Sequence, residues 1–124
     1  MESKVAKEWM DELSRTANAK DFEAHIALIS KQVQVFGFPD IEVIRYDDWV
    51  AQCKHEFAQG ILKSYRYDGV KVLMMMPGKV AFETRETIEA TDGTVNVMDA
   101  EIALQREDDG KWRVTQERVS FPAV

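Results

Sequence analysis

The first half of the chain spaces its hydrophobic residues as helices do. Six of them recur every three or four positions and predict an amphipathic helix over residues 4–19, namely Val5, Ala6, Trp9, Met10, Leu13 and Ala17. Asp21 is predicted to cap a shorter second helix that turns Phe22, Ile26 and Ile29 to one side. A third helix is predicted from a cap at Asp47 or Asp48 to Gly60, with a buried stripe of Trp49, Val50, Cys53 and Phe57.

Alternating residues and turn signals dominate the rest of the chain. Two short strands are expected over residues 33–38 and 41–44, before the third helix. After that helix, five strands are expected, at 61–67, 70–76, 79–90, 94–106 and 111–121. Asp-Gly pairs at 68–69, 92–93 and 109–110 predict hairpins, and Pro77-Gly78 predicts another turn. The pattern therefore predicts an α+β fold in which helices precede an antiparallel meander.

Two-residue loops at the Asp-Gly turns set the predicted register of the sheet. They place Glu86 opposite Asp99, Phe82 opposite Ala103, and Glu101 opposite Arg118. One face then carries Val80, Phe82, Ile88, Val97, Trp112 and Val114, interrupted by Thr84, Glu86, Asp99, Glu101, Gln116 and Arg118. The other face carries Met98, Ala100, Ile102, Leu104, Val119 and Phe121, interrupted by Glu83, Arg85 and Glu117.

A sheet that is apolar on both faces must be covered on both. The helices can cover one face, and a second copy of the chain is the simplest cover for the other. We therefore predict a homodimer through the sheet, with an interface made by Met98, Ala100, Ile102, Leu104, Val119 and Phe121.

Length, charge and cysteine content limit the class of protein. The 124 residues, 45% hydrophobic and 31% charged, are expected to form one domain, 1–124. The single cysteine, Cys53, and the absence of an apolar leader are typical of a cytoplasmic protein. A net charge of −6 argues against nucleic acid as a partner, and no apolar run is long enough for a membrane span.

The order of elements resembles the nuclear transport factor 2-like superfamily, and within it the SnoaL-like and ketosteroid-isomerase-like branch. The residues that carry the resemblance are Trp9, the segment Val35-Phe36-Gly37-Phe38-Pro39, the Trp49 helix and the closing Gly110-Lys111-Trp112-Arg113-Val114 strand. The resemblance implies a cystatin-like cone, with three helices on a curved sheet and a pocket between them. Members include isomerases, dehydratases and epoxide hydrolases as well as non-catalytic binding and association domains, and many of them dimerise.

The leading functional hypothesis is a small-molecule-binding domain with an apolar pocket for a small lipophilic ligand. The pocket is predicted to be lined by Trp9, Phe22, Trp49, Phe57, Phe82, Glu86, Trp112 and Val114. Two alternatives stand beside it. One is a SnoaL-like enzyme acting on a small lipophilic substrate, and the other is a non-catalytic association domain.

The candidate catalytic residues are Asp99, Glu101 and Arg118, which share a predicted face with Glu86. Two carboxyls separated by an arginine could act as acid and base in the manner of the epoxide hydrolases of this superfamily. The alternative is a cross-strand ion pair without catalytic function. Ketosteroid isomerases use an aspartate base in the first strand-turn and an oxyanion hole made by a tyrosine and an aspartate. The segment Val97-Met98-Asp99 resembles the one that bears the oxyanion aspartate. Their chemistry is not expected here, because Phe36-Gly37 offers no carboxylate as base and the first helix has no tyrosine.

No metal or cofactor is expected. His25 and His55 each lack a second ligand at helical spacing and are predicted to face solvent, while Cys53 is predicted to be a buried, inert thiol. Tyr65 and Tyr67 share one face and are expected either to line the pocket mouth or simply to pack.

Overall fold

Three helices lie on one face of a curved six-stranded sheet in the computed structural model, which describes residues 3–122. The elements are α1 (Lys4–Ala19), α2 (Phe22–Ile26), β1 (Ile29–Phe36), β2 (Ile44–Arg45), α3 (Tyr46–Gln59), β3 (Leu62–Met76), β4 (Lys79–Ala90), β5 (Val95–Arg106) and β6 (Trp112–Ser120). The predicted α+β cone and its three helices are confirmed. None of the helices within residues 3–122 is long and apolar enough to cross a membrane.

The strands follow the order β2-β1-β6-β5-β4-β3. All neighbours are antiparallel except β1 and β6, which run parallel with Val35 beside Glu117. Gly37 follows β1 with φ at 107°, and a Cβ there would lie 1.9 Å from the carbonyl oxygen of Val119. Glycine is therefore required where the chain leaves β1 against β6.

One predicted hairpin is wrong. Asp68-Gly69 does not turn the chain, because β3 continues through it and pairs with β4 on both sides. Asp68 pairs with Arg85 and Lys71 with Glu83, so β3 holds one extra residue there and forms a bulge. Gly69 takes a positive φ of 75°, and its carbonyl oxygen accepts a 2.6 Å hydrogen bond from the Thr84 hydroxyl. Asp-Gly usually favours a hairpin turn, but at residues 68–69 it forms a bulge instead.

The predicted register between β4 and β5 is also wrong by one residue. The backbone N–H of Ala90 donates to the Thr94 carbonyl oxygen at 2.8 Å, so the connecting loop has three residues rather than two. Glu86 consequently lies opposite Met98 instead of Asp99. The register between β5 and β6 is as predicted around Glu101 and Arg118, because a bulge near Ala103 offsets a longer turn.

A shift of one residue exchanges the two faces of a strand, so the predicted dimer interface needs correction. Five of its residues lie on the inner face, buried beneath the helices, namely Met98, Ala100, Ile102, Leu104 and Val119. Ile102 is fully buried within the single chain, and these five side chains are not available to a partner. Phe121, the sixth, is 47% exposed and packs its ring edge-on against Phe38.

Two side-chain contacts hold α1 over the sheet. The indole Nε1–H of Trp9 donates to the Leu28 carbonyl oxygen at 3.1 Å. Asn18 makes two hydrogen bonds to the backbone of Tyr65, donating to its carbonyl oxygen at 3.0 Å and accepting from its N–H at 2.8 Å. These bonds fix α1 above β3, where two tyrosines project from the inner face.

Candidate functional site

Two glutamates lie on the inner face of the sheet, where most neighbours are apolar. Glu86 projects from β4 and Glu117 from β6, and their residues are only 3% and 4% exposed. Burying a carboxyl group is unfavourable unless hydrogen bonds compensate for the lost water. The two carboxyls lie close enough for each to shift the pKa of the other, so a proton shared between them would reduce that penalty.

Two tyrosines complete this group, which we call the carboxyl cluster: Tyr65, Tyr67, Glu86 and Glu117. Tyr65 and Tyr67 alternate on β3 and lie on the same face as Glu86, since Tyr67 pairs with Glu86 across the ladder. The Tyr65 hydroxyl donates to Oε1 of Glu86, and the two tyrosine hydroxyls lie 3.2 Å apart. A chain of hydrogen bonds therefore runs from β3 to Glu86 of β4, and Glu117 of β6 lies close enough to Glu86 to affect its pKa.

The electrostatics of the cluster distinguish its two carboxyls. Desolvation raises the pKa of Glu86, while hydrogen bonds from Tyr65, Tyr67 and Glu117 act in the opposite direction. No hydrogen bond lowers the pKa of Glu117. Desolvation and then the charge of Glu86 hold that pKa well above the usual range. Glu117 is therefore the carboxyl that holds its proton more strongly, and Glu86 is the acceptor of the hydrogen bond from Tyr65.

Burial and the neighbouring carboxylates also raise the pKa of both tyrosines well above its ordinary value. Both phenols remain protonated donors at neutral pH. The cluster thus combines two carboxyls of unequal pKa, both raised by burial, with two phenols that act as donors. Such a combination can hold a polar oxygen of a ligand or move a proton.

Aromatic rings surround the cluster on the side of α1. The ring centroid of Trp9 lies 6.3 Å from that of Tyr67 and 6.5 Å from that of Phe82. Among the predicted pocket residues, the structure brings together Trp9, Phe82 and Glu86.

The other predicted pocket residues lie elsewhere. Phe22 and Phe57 pack edge to face between α2 and α3, with centroids 6.5 Å apart. Trp49 packs on the core from α3, and Val114 is fully buried in it. Trp112 is half-buried, with the Arg106 guanidinium 5.9 Å above its ring.

Side chains fill the space in which the pocket was predicted, since Trp9, Leu13 and Phe82 are all 3% exposed or less. Two open depressions lie outside this space. One, of about 690 Å³, lies on the sheet face opposite the helices, and the other, of about 770 Å³, lies beside α2 and the β5–β6 turn. A ligand can therefore reach the carboxyl cluster only if side chains move. Tyr65 and Tyr67 are the half-buried members of the cluster, so theirs are the side chains that a ligand would displace.

The three predicted catalytic residues do not reach the cluster. Asp99, Glu101 and Arg118 lie on the outer face, which is the face of the sheet opposite the helices, away from Glu86. Asp99 accepts a 2.9 Å hydrogen bond from Arg85, and Glu101 lies opposite Arg118 across the ladder. Arg118 lies 5.2 Å above the ring of Phe36. The predicted grouping with Glu86 is wrong because of the register of β4.

His25 is not the solvent-facing residue that was predicted. It is 3% exposed, its Nδ1 lies 2.9 Å from the Thr16 hydroxyl, and burial lowers its pKa to about 4. His55 is exposed as predicted, and Cys53 is buried with a pKa raised by burial to about 12. Among residues 3–122, no three His, Cys, Asp or Glu side chains are grouped closely enough to hold a metal ion.

Sequence reasoning missed Glu117 and gave the two tyrosines no firm role. The available signal was a charged residue alternating with apolar ones, since Glu117 stands two positions before Val119 on β6. Glu86 stands two positions after Thr84 and four after Phe82 on the same face. These residues meet only once the three-residue loop and both bulges set the register.

Comparisons with known proteins agree with this architecture. The family model described as "SnoaL-like domain" matches residues 6–124. An NTF2-like protein from Cytophaga hutchinsonii superposes with a TM-score of 0.78 at 14% identity, over 98% of this chain and 100% of its own. An NTF2-like protein of unknown function in nutrient uptake from Rhodospirillum rubrum also scores 0.78, at 9% identity, over 98% and 100% of the two chains.

A third solved structure carries a more specific name. A protein from Novosphingobium aromaticivorans named as a scytalone dehydratase superposes with a TM-score of 0.74 at 10% identity, over 96% of this chain and 83% of its own. At these identities the likeness concerns the fold alone. A search of the curated proteins gave no match.

Proposed function

Because this chain belongs to the SnoaL-like domain family, we propose that it binds a small, mostly apolar molecule between α1 and the sheet, with a polar oxygen held at the carboxyl cluster. The observation that carries this proposal is the burial of Glu86 and Glu117, at 3% and 4% exposure, among aromatic side chains. Buried carboxyls reduce stability, and strongly perturbed groups of this kind concentrate at functional sites.

The composition of the surroundings supports an apolar ligand with one oxygen-containing group. Trp9 and Phe82 present apolar surface, while the Tyr65 and Tyr67 hydroxyls and protonated Glu117 are donors. The groups that shift the pKa values of the two glutamates are tyrosines and the glutamates themselves, with no lysine or arginine among them. A ketone, alcohol or phenol suits this mixture.

Native mass spectrometry of freshly purified protein is the first test. We expect an additional mass of a few hundred daltons that is lost on denaturation. If the purified protein carries no bound ligand, thermal-shift measurements with a panel of small ketones, alcohols and phenols identify molecules that bind. Tyr65→Phe removes one hydroxyl and should weaken binding roughly tenfold, whereas Tyr46→Phe, on α3, should leave it unchanged. Equal affinities for the two variants would contradict the proposed site.

A second candidate function is proton transfer on a bound carbonyl compound, as in a dehydratase or isomerase. The observation that favours it is the difference between the two carboxyls, since a base and an acid must have separated pKa values. Glu86 would take the proton, and Glu117 with the tyrosines would stabilise the developing oxyanion. One structural neighbour is itself named as a scytalone dehydratase.

Deuterium exchange separates binding from catalysis. A ketone that binds is incubated with the protein in D₂O, and the signal of its α-protons is followed by NMR. A proton-transfer enzyme accelerates their loss, and Glu86→Gln abolishes the acceleration while the ketone still binds. A ketone that binds without accelerated exchange would assign the chain to the binding function alone.

A further inference from the structure

Asn18, in the last turn of α1, pairs with the backbone of Tyr65 as a neighbouring strand would. Its side-chain amide donates to the Tyr65 carbonyl oxygen at 3.0 Å and accepts from the Tyr65 N–H at 2.8 Å. Residues of an antiparallel ladder exchange the same two bonds. β3 is the last strand of the sheet, with β4 as its only strand neighbour within residues 3–122, so Asn18 occupies the free edge of β3 at this point. We call this pair of bonds the clasp.

The part of β3 under the clasp is a short regular stretch between two irregularities. The pairing of β3 with β4 shifts between Leu62 and Ser64, and again between Asp68 and Lys71. Such shifts interrupt the ladder of hydrogen bonds on either side. The intervening stretch, residues 64–68, carries both tyrosines of the carboxyl cluster. It is held by β4 on one side and by the clasp on the other, so it can open locally without disrupting the rest of the sheet.

Tyr65 belongs to both the clasp and the carboxyl cluster. Its backbone is bonded to Asn18, and its hydroxyl donates to Glu86. Its ring centroid lies 5.3 Å from that of Tyr67, whose own centroid lies 6.3 Å from that of Trp9. The three rings form a row from the free edge of β3 toward the interior. Displacement of Tyr65 therefore uncovers the cluster along this row.

The opposite side of the cluster is covered by further structure. Glu117 lies on β6, which pairs with β1, and β1 in turn pairs with β2. α3 packs against both β1 and β2. Tyr65 and Tyr67 are half-buried, whereas Glu86 and Glu117 are almost completely buried. The path from solvent to the two carboxyls therefore runs past the tyrosines, between α1 and the free edge of β3.

We propose that the clasp controls entry to the carboxyl cluster, and that a small apolar molecule enters between α1 and β3 when Asn18 releases Tyr65. This inference rests on the proposed function, since it gives the ligand of that site its route. The closed clasp holds the Tyr65 hydroxyl on Glu86 and keeps water from the cluster. The open clasp frees the Tyr65 side chain to turn aside, while the bond from Trp9 to Leu28 still fixes α1.

Nitration of tyrosine by tetranitromethane tests the proposal without a ligand. The reagent attacks the phenolate, so the hydrogen-bonded phenols of Tyr65 and Tyr67 should react slowly while the clasp is closed. The chain has three tyrosines, and the third, Tyr46 on α3, is an internal reference. Asn18→Ala removes both bonds of the clasp and should accelerate nitration of Tyr65 and Tyr67 roughly tenfold relative to Tyr46. Peptide mass spectrometry over a time course measures the three rates.

Ser14→Ala is the matched control, because it removes a side-chain hydrogen bond that lies within α1 and leaves the clasp intact. It should not change the ratio of the rates. Two results in Asn18→Ala would overturn the proposal. One is unchanged nitration of Tyr65 and Tyr67. The other is equal acceleration at all three tyrosines, because the substitution would then have loosened the whole fold.

Binding kinetics connect the clasp to the proposed function. The probe is 2-naphthol, an apolar phenol whose fluorescence is followed by stopped flow. Asn18→Ala should raise its association and dissociation rates by the same factor and leave the dissociation constant unchanged. A faster dissociation alone would contradict a role in entry, since Asn18 would then hold the bound molecule. If neither 2-naphthol nor any other compound of the panel binds, the proposed function fails, while the nitration ratio still decides whether the clasp closes the entrance.

Discussion

At the scale of single residues, burial changes the acid–base behaviour of Glu117. Its pKa lies well above the usual range, so the folded state holds the proton more tightly than the unfolded state does. That stabilisation is complete below a pH of about 4.3 and is lost as the pH rises toward the folded-state pKa. Glu117→Gln keeps a donor for Glu86 without a titrating proton, and should raise the free energy of unfolding at pH 7 by at least about 1 kcal/mol.

Urea unfolding at a series of pH values measures this effect. The difference between variant and wild type should shrink as the pH is lowered toward 4.3. Glu107→Gln, at the half-buried turn before β6, is a control that removes a carboxyl whose partners are Ser30 and Arg113. Glu107→Gln should lower the free energy of unfolding. If Glu117→Gln lowers it as well, the prediction is contradicted, because Glu117 would then be ionised in the folded protein.

At the scale of elements, the close contact between the end of β1 and β6 requires a residue without a Cβ, which is Gly37. A Cβ on residue 37 would overlap the Val119 carbonyl, and the backbone there has φ at 107°. Gly37→Ala should therefore destabilise the protein by more than about 3 kcal/mol, since strain and overlap combine. Gly93→Ala has a similar φ of 93° but open space around it, and should cost only about 1 kcal/mol. Thermal unfolding of both variants compares these costs, and equal losses would contradict the overlap.

The elements also show what could be predicted from the sequence. The apolar stripe of α1 and the Asp21 cap of α2 were predicted because both depend on neighbours a few positions away. The bulge at Gly69 and the loop after Ala90 were not, because Asp-Gly suits a two-residue turn, a longer loop and a bulge alike. The predicted register of β4 against β5 was wrong by one residue. It grouped Glu86 with Asp99 instead of Glu117, so the carboxyl cluster was not predicted.

At the scale of the whole molecule, acid stability depends on how α1, α2 and α3 pack around His25. The ring is bonded to Thr16 of α1 and lies 5.5 Å from the Phe57 ring of α3, with a pKa lowered to about 4. A depressed pKa means that the unfolded chain binds the proton first, so stability is fully present above pH 6.5 and falls toward pH 4. His25→Asn should flatten this slope, which amounts to about 3 kcal/mol at most. Chemical unfolding between pH 4 and 7 measures it, and an unchanged slope would exclude His25 as its source.

The parallel pairing of β1 with β6 also has a consequence for the order in which the molecule assembles. β3, β4 and β5 find their partners next to one another along the chain, so they can form early, while β1 must wait for β6. During synthesis the ribosome releases β1 long before Trp112. Until β6 is synthesised, the sheet that α1 packs on is incomplete. A nascent chain that stalls before β6 therefore exposes the apolar face of α1 and of the incomplete sheet, to which chaperones bind.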